Sequence, residues 1–388
     1  MLKIVGSGPR KTGLIFVALA LALMAGACSR ISNPQGWSGV AASGDTLVVG
    51  TQEGQLLAID KNDASTFAAW PVDLRGEEDQ RAIYGAPVID GDAVFAGAYD
   101  GTLYAFDLQG QPTRWIDMRL GDRMVGGPTL EGKTIVVGSV TITDDDGDEG
   151  TLWALDADTG DTLWRFTTPG PIWTTPTVAD GLVFIGTLNK MIYAVNLSDG
   201  QKAWEFETGG GVVAKPLAAN GLVYVGAFDS VFYALDADTG AEVWRFEEAE
   251  KWFWGGAIGR DNLVLVPSLD GNLYALDATS GFPQWKFETE GSIVGSPVIV
   301  GDLIAVPIAD GGESKIALVE LNGSPREACK IGEDVRTPLS TDGELIYFAA
   351  TDHSIWALRI KQNGNPDEEW VYLTDEDDPN PRDRSKAC

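Results

Sequence analysis

The 388-residue sequence holds three cysteines and one histidine. A histidine-paired nucleophile or a histidine-rich metal site would have to rest on His353 alone, which lies in a turn-like "TDHS". Cys28, Cys329 and Cys388 are too far apart in the chain for a CxxC pair or a zinc cluster. Positive charge is scarce: 28 Lys and Arg stand against 57 Asp and Glu, a net charge of −29. Phosphate backbones and anionic lipid headgroups need clustered cations, so nucleic acid is excluded as a partner. No apolar run reaches the roughly 20 residues that span a bilayer. Past the first 28 residues no stretch keeps a 3.6-residue period, which excludes a helical architecture.

Those first residues read as an export signal. Lys3, Arg10 and Lys11 precede an apolar run from Leu14 to Met24, and "LMAGAC" ends at Cys28. Small residues before that cysteine resemble a bacterial lipobox, with residues 1–27 removed and Cys28 lipidated; an ordinary secretory signal is the alternative. Cleavage takes the net charge from −29 to −32, since Lys3, Arg10 and Lys11 leave. "GSGPRKTG" in this segment imitates a phosphate loop but carries Arg10 where Gly must precede Lys. Residues 28–36 form a tether of at most about 30 Å. Cys329 and Cys388 either pair, stapling an acidic tail (374–388) to the body, or remain thiols.

The dominant signal is repetition. "ALDADTGDTLWRF" from Ala154 returns as "AVNLSDGQKAWEF" from Ala194, "ALDADTGAEVWRF" from Ala234 and "ALDATSGFPQWKF" from Ala275, at offsets of 40, 40 and 41 residues. Weaker copies bring the units to eight. Each has four short runs in which apolar residues alternate with small or polar ones, and "DG" pairs such as Asp100–Gly101, Asp180–Gly181 and Asp270–Gly271 read as two-residue hairpin turns. Four antiparallel strands in eight units predict an all-β, eight-bladed β-propeller over residues 37–373. Trp recurs at 70, 115, 164, 204, 244, 285 and 370, and the seventh unit lacks it.

The phrase Ala-x-Asp-x-x-x-Gly-x-x-x-Trp resembles the repeat of pyrroloquinoline-quinone (PQQ)-type propellers, over residues 36–372. That superfamily includes quinoprotein dehydrogenases and non-enzymatic members, among them a lipoprotein of outer-membrane protein assembly. The resemblance implies either a protein-binding scaffold, monomeric within a membrane-associated complex, or a PQQ-dependent oxidoreductase with calcium. The dehydrogenases carry adjacent cysteines and extra length that this chain does not have. A polysaccharide- or small-ligand-binding propeller is the third reading.

Strand parity puts the inter-unit linkers and the second-to-third hairpins on one face, the entry face. There the chain is irregular. Asp144, Asp145, Asp146, Asp148 and Glu149 lengthen one hairpin, as a solvated loop or a weak calcium site. Counted three places before each unit's usual Pro, the first strands start at Trp37, Tyr84, Val125, Trp173, Val213, Trp254, Val294 and Val335, with Trp252 nearby. Small residues follow, except Lys215 and Arg336. The rings either cap the core or rim a mouth, with the two cations as its floor, for a partner segment or anionic ligand.

Overall fold

The structure is a computed structural model that describes residues 38–52, 54–74, 82–143, 147–311, 314–374 and 388. The described residues all belong to one compact unit. Its described residues fold into eight four-stranded antiparallel sheets, each made of four consecutive strands. The first runs from Ala41–Ser43 to Val72–Asp73 and the eighth from Ser340–Thr341 to Pro366–Leu373. The all-β eight-bladed propeller is therefore correct.

The expected alternation holds for the outer strands only. In blade four the outer strand Lys202–Glu207 alternates and turns Trp204 inward. The two middle strands, Leu182–Gly186 and Met191–Asn196, are buried almost continuously. Blades stack face to face, so both faces of a middle strand are covered, and a run such as "LVFIG" needs no polar face. In one such seam Val136, Leu152, Ala154 and Trp164 of blade three meet Val183, Ile185, Tyr193 and Val195 of blade four.

The repeated Trp seals the seams. In seven blades its Nε1–H donates to a backbone carbonyl in the third-to-fourth-strand turn of the next blade, at 2.7 to 3.1 Å. In five of these seams, those of Trp115, Trp164, Trp204, Trp244 and Trp285, the ring also lies against that turn's glycine. A Cβ on Gly240, whose φ is +72°, would stand 2.6 Å from the Trp204 indole. Gly is thus required twice there, for its left-handed backbone and for the close approach.

The three "DG" pairs are not alike. Asp180 and Gly181 both have positive φ, as a two-residue type I′ turn needs. Gly101 and Gly271 instead close four-residue second-to-third loops in which Asp100 and Asp270 cap the turn through Oδ1, accepting from the amides of Thr102 and Asn272. His353 occupies the same turn place in blade eight with φ +63°. The acidic insertion lengthens its hairpin as expected, with strands Thr134–Thr141 and Glu149–Asp156, while Asp144, Asp145 and Asp146 lie outside the described residues. Cys329 and Cys388 are joined by a disulfide, with Cα atoms 4.7 Å apart.

Candidate functional site on the entry face

The chain enters each blade beside that blade's second-to-third hairpin. The amides of Leu188, Phe228 and Leu269, in three such hairpins, donate to the carbonyls of Pro171, Gly211 and Trp252 in the segments entering the same blades. Linkers and these hairpins therefore share one face, as strand parity requires.

On that face the segment "KWFWG" precedes the first strand of blade six, and its burial alternates across the three rings. Phe253 is fully buried against Phe232, ring centroids 5.6 Å apart, and anchors the segment. Trp252 and Trp254 point outward, each 41% exposed. Phe228, from the hairpin of blade five, stacks on both, with centroids at 4.9 Å from Trp252 and 5.8 Å from Trp254. Three rings thus form one solvent-facing platform. Phe228 escaped the sequence reading because it stands in a hairpin that reads as an ordinary turn. Its signal was an aromatic at the second turn position, where two sister units have Leu188 and Leu269.

A second group lies at blades two and three. Tyr84 meets Tyr99 edge to face at 5.6 Å, and the Arg123 guanidinium stands 5.6 Å from the Tyr99 ring centre. Burial pushes the Tyr84 hydroxyl well above the usual tyrosine range. Trp173 is half-buried and stands apart from both groups among the described residues. Trp37 lies outside the described residues.

The structure corrects the placement of Arg336. The Thr337 hydroxyl donates to the Ala349 carbonyl at 3.1 Å, as the Thr174 hydroxyl does to Gly186 at 3.1 Å. Thr337 is therefore the counterpart of Thr174, Arg336 of Trp173, and the buried Val335 of the buried Ile172. Arg336 sits at rim level, not one step deeper. Its guanidinium donates twice to Asp334, from Nε at 3.1 Å and Nη2 at 2.7 Å. Burial pulls the Asp334 pKa up, but the Ser314 hydroxyl and Arg336 outweigh it, and the net shift is downward.

Lys215 lies one step further in, among the small residues that surround the axis. The Gly127 amide donates to Thr175 Oγ1 at 2.9 Å and the Gly256 amide to Ser296 Oγ at 2.8 Å. A Cβ on Gly256 would stand 3.4 Å from the Lys215 Cβ. Lys215 is solvent-exposed along part of its length, yet the protein around it desolvates its ammonium and lowers the pKa. Lys215 and Arg336 are thus not a paired floor: one is enclosed by small neutral neighbours, the other is held by a carboxylate.

No two cysteines are adjacent in the sequence, and no group of three His, Cys, Asp or Glu side chains converges among the described residues. No helix of the described residues is long and apolar enough to cross a membrane.

A ring of eight sheets sealed by indole-to-carbonyl bonds, with aromatic groups on its entry face, is a PQQ-like repeat propeller. Residues 33–164, 115–229 and 227–326 match the family described as outer membrane protein assembly factor BamB, and the chain belongs to that family. A BamB of Yersinia pestis is 28% identical over 120 residues, a match spanning 28% of this chain and 28% of that protein. The fold is similar to the crystal structure of BamB from Moraxella catarrhalis, with a TM-score of 0.65, 20% identity, and coverage of 83% of this chain and 95% of that one. It is also similar to quinohemoprotein alcohol dehydrogenase from Comamonas testosteroni, with a TM-score of 0.67, 14% identity, and coverage of 84% and 71%.

Proposed function

We propose that this chain is an exported, lipid-anchored, non-enzymatic scaffold of the cell envelope that binds a membrane-associated protein through its entry face. One observation carries the reading: the Phe228–Trp252–Trp254 platform leaves two large indoles 41% exposed. Exposed ring clusters of this kind mark protein contacts, and Trp and Arg dominate interface energetics. Family membership and the lipobox-like sequence ending at Cys28 support the location. The net charge of −29 disfavours direct contact with anionic headgroups and leaves a protein as the contact.

Crosslinking in native membranes, read by mass spectrometry, tests this. Trp252→Ala with Trp254→Ala removes the crosslinks to membrane proteins. Asp158→Lys with Asp238→Lys, on the opposite face, leaves them; Asp158 gives up only an exposed pair with Lys133. The reverse pattern overturns the assignment of the face. Near-ultraviolet and visible absorption of the purified protein separates the oxidoreductase reading, since a bound quinone absorbs there and a scaffold does not.

A further inference from the structure

The seam between blades seven and eight is built differently from the other seven. By strand register, "EAC" at Glu327–Cys329 is the counterpart of "WRF" at Trp164–Phe166, because Ala317 pairs with Ala328 as Trp153 pairs with Arg165. Glu327 therefore stands where seven blades carry the sealing indole. It accepts a hydrogen bond from the Asn365 side chain across the seam. The turn that would receive an indole is nevertheless formed. In blade eight Lys361 N donates to Asn365 O and Gly364 N to Lys361 O, both at 2.8 Å. Blade seven does the same with Glu320, Ser324 and Gly323, at 2.9 Å. Gln362 thus corresponds to Leu321, whose carbonyl accepts from Trp285, and Gly364 to Gly323, against which that indole lies.

Against Gly364 there is no ring. A Cβ placed on it would meet only Leu303 Cδ1, at 3.9 Å. The hairpin strands Ser354–Ile360 and Pro366–Leu373 also run further than their sisters, which carries the turn outward past Glu327. The result is an open cleft of about 440 Å³ lined by Leu303, Leu321, Asn322, Arg326, Gln362 and Gly364, among others. Its rim is acidic. Asp302 and Glu320 line it and Glu327 stands beside it, while Arg326 is taken up by Glu320 and Arg260 reaches Asp302 only at 3.8 Å.

We infer that this cleft is a docking site for an aromatic side chain, an indole first, carried on a basic segment of a partner polypeptide. The chemistry is that of the molecule's own seams: a turn glycine to lie against, a backbone carbonyl to take the indole N–H, and apolar contact from Leu303 and Leu321. The carboxylates select cations beside the ring. This site lies on the turn side of the ring, opposite the entry face, and is independent of the platform there.

The probe is an amidated Lys-Lys-Trp-Lys-Lys peptide containing 5-fluorotryptophan, observed by ¹⁹F NMR with the full-length protein. Wild type broadens the signal, and Glu327→Gln, which keeps the cleft open, still does so. Glu327→Trp fills the seat from within and weakens binding at least tenfold. Lys-Lys-Ala-Lys-Lys does not compete. A sharp signal with wild type, equal broadening with Glu327→Trp, or full competition by the alanine peptide each overturns the proposal. Should Glu327→Trp fail to fold, a photoreactive form of the peptide on wild type decides: crosslinks at Asn322 and Asn363 support the cleft, and crosslinks elsewhere, or self-association of the protein through it, overturn it.

Discussion

The indole of Trp370, in the last blade, donates its N–H to the carbonyl of Lys61, in the first, at 2.7 Å. The bond has the geometry of the other seams although 309 residues separate its ends. Around it Leu47, Val49, Leu57 and Ile59 pack on Leu345, Tyr347, Ile355 and Ala357. Trp370→Phe keeps most of the ring and removes the donor, so a loss of about 1 kcal/mol is expected, and Trp370→Ala, which also removes a part-buried ring, is expected to cost more. Urea unfolding midpoints measure both. An unchanged midpoint for Trp370→Phe means that the bond adds nothing to the closure.

The same seam should be acid-sensitive. Burial raises the Asp342 pKa, but the amides of Leu345 and Glu344, the Lys61 ammonium at 3.0 Å and the Tyr347 hydroxyl outweigh it and hold the carboxyl well below the usual range. A depressed folded-state pKa gives stability that is present above the unfolded value of about 4 and is lost as pH falls towards the folded value. Melting temperatures of wild type and Asp342→Asn should differ at pH 6 and converge as pH drops below 4. A constant gap would show that the charge is not involved.

Lys215 acts in the opposite sense. Its folded-state pKa is lowered by burial, so at neutral pH its charge costs stability, and stability rises as pH climbs from the folded towards the unfolded lysine value. Lys215→Met should raise the melting temperature at pH 7, by an amount that shrinks above pH 10. A destabilised Lys215→Met would mean that the ammonium has a favourable partner.

Trp164→Ala should destabilise by about 3–5 kcal/mol, because a buried indole and its bond to Leu197 are lost. Trp173→Ala, at the half-buried rim, should cost less. Equal melting shifts would make Trp173 a core ring.

Cys28→Ser, or a block of lipoprotein signal processing, should leave unprocessed or mislocalised protein on immunoblots of fractionated cells. Normal processing in both cases removes the lipid anchor from the proposed function.

The eight units and their sealing Trp residues were legible because each blade must repeat the same seam, and the seam writes the same residues every 40 or so positions. Two things were not. Blade eight reaches its Pro one residue early, at Thr337–Pro338 where blade four has Thr174–Thr175–Pro176, so counting from Pro shifted Arg336. The true register mark is the hydroxyl that bonds a carbonyl twelve residues on, and side-chain bonding is invisible in spacing. The missing Trp of unit seven could be read, but the cleft it leaves could not, since that depends on how far the next blade's hairpin extends.

No blade borrows a strand from across the ring; each is four consecutive strands, and the closing seam uses the same indole-to-carbonyl bond as its sisters. The order in which the chain visits the blades is therefore separable from the structure it builds. A permuted chain that starts at blade five, runs through blade eight and continues into blade one would meet the same eight seams, each with its own bonding partners intact.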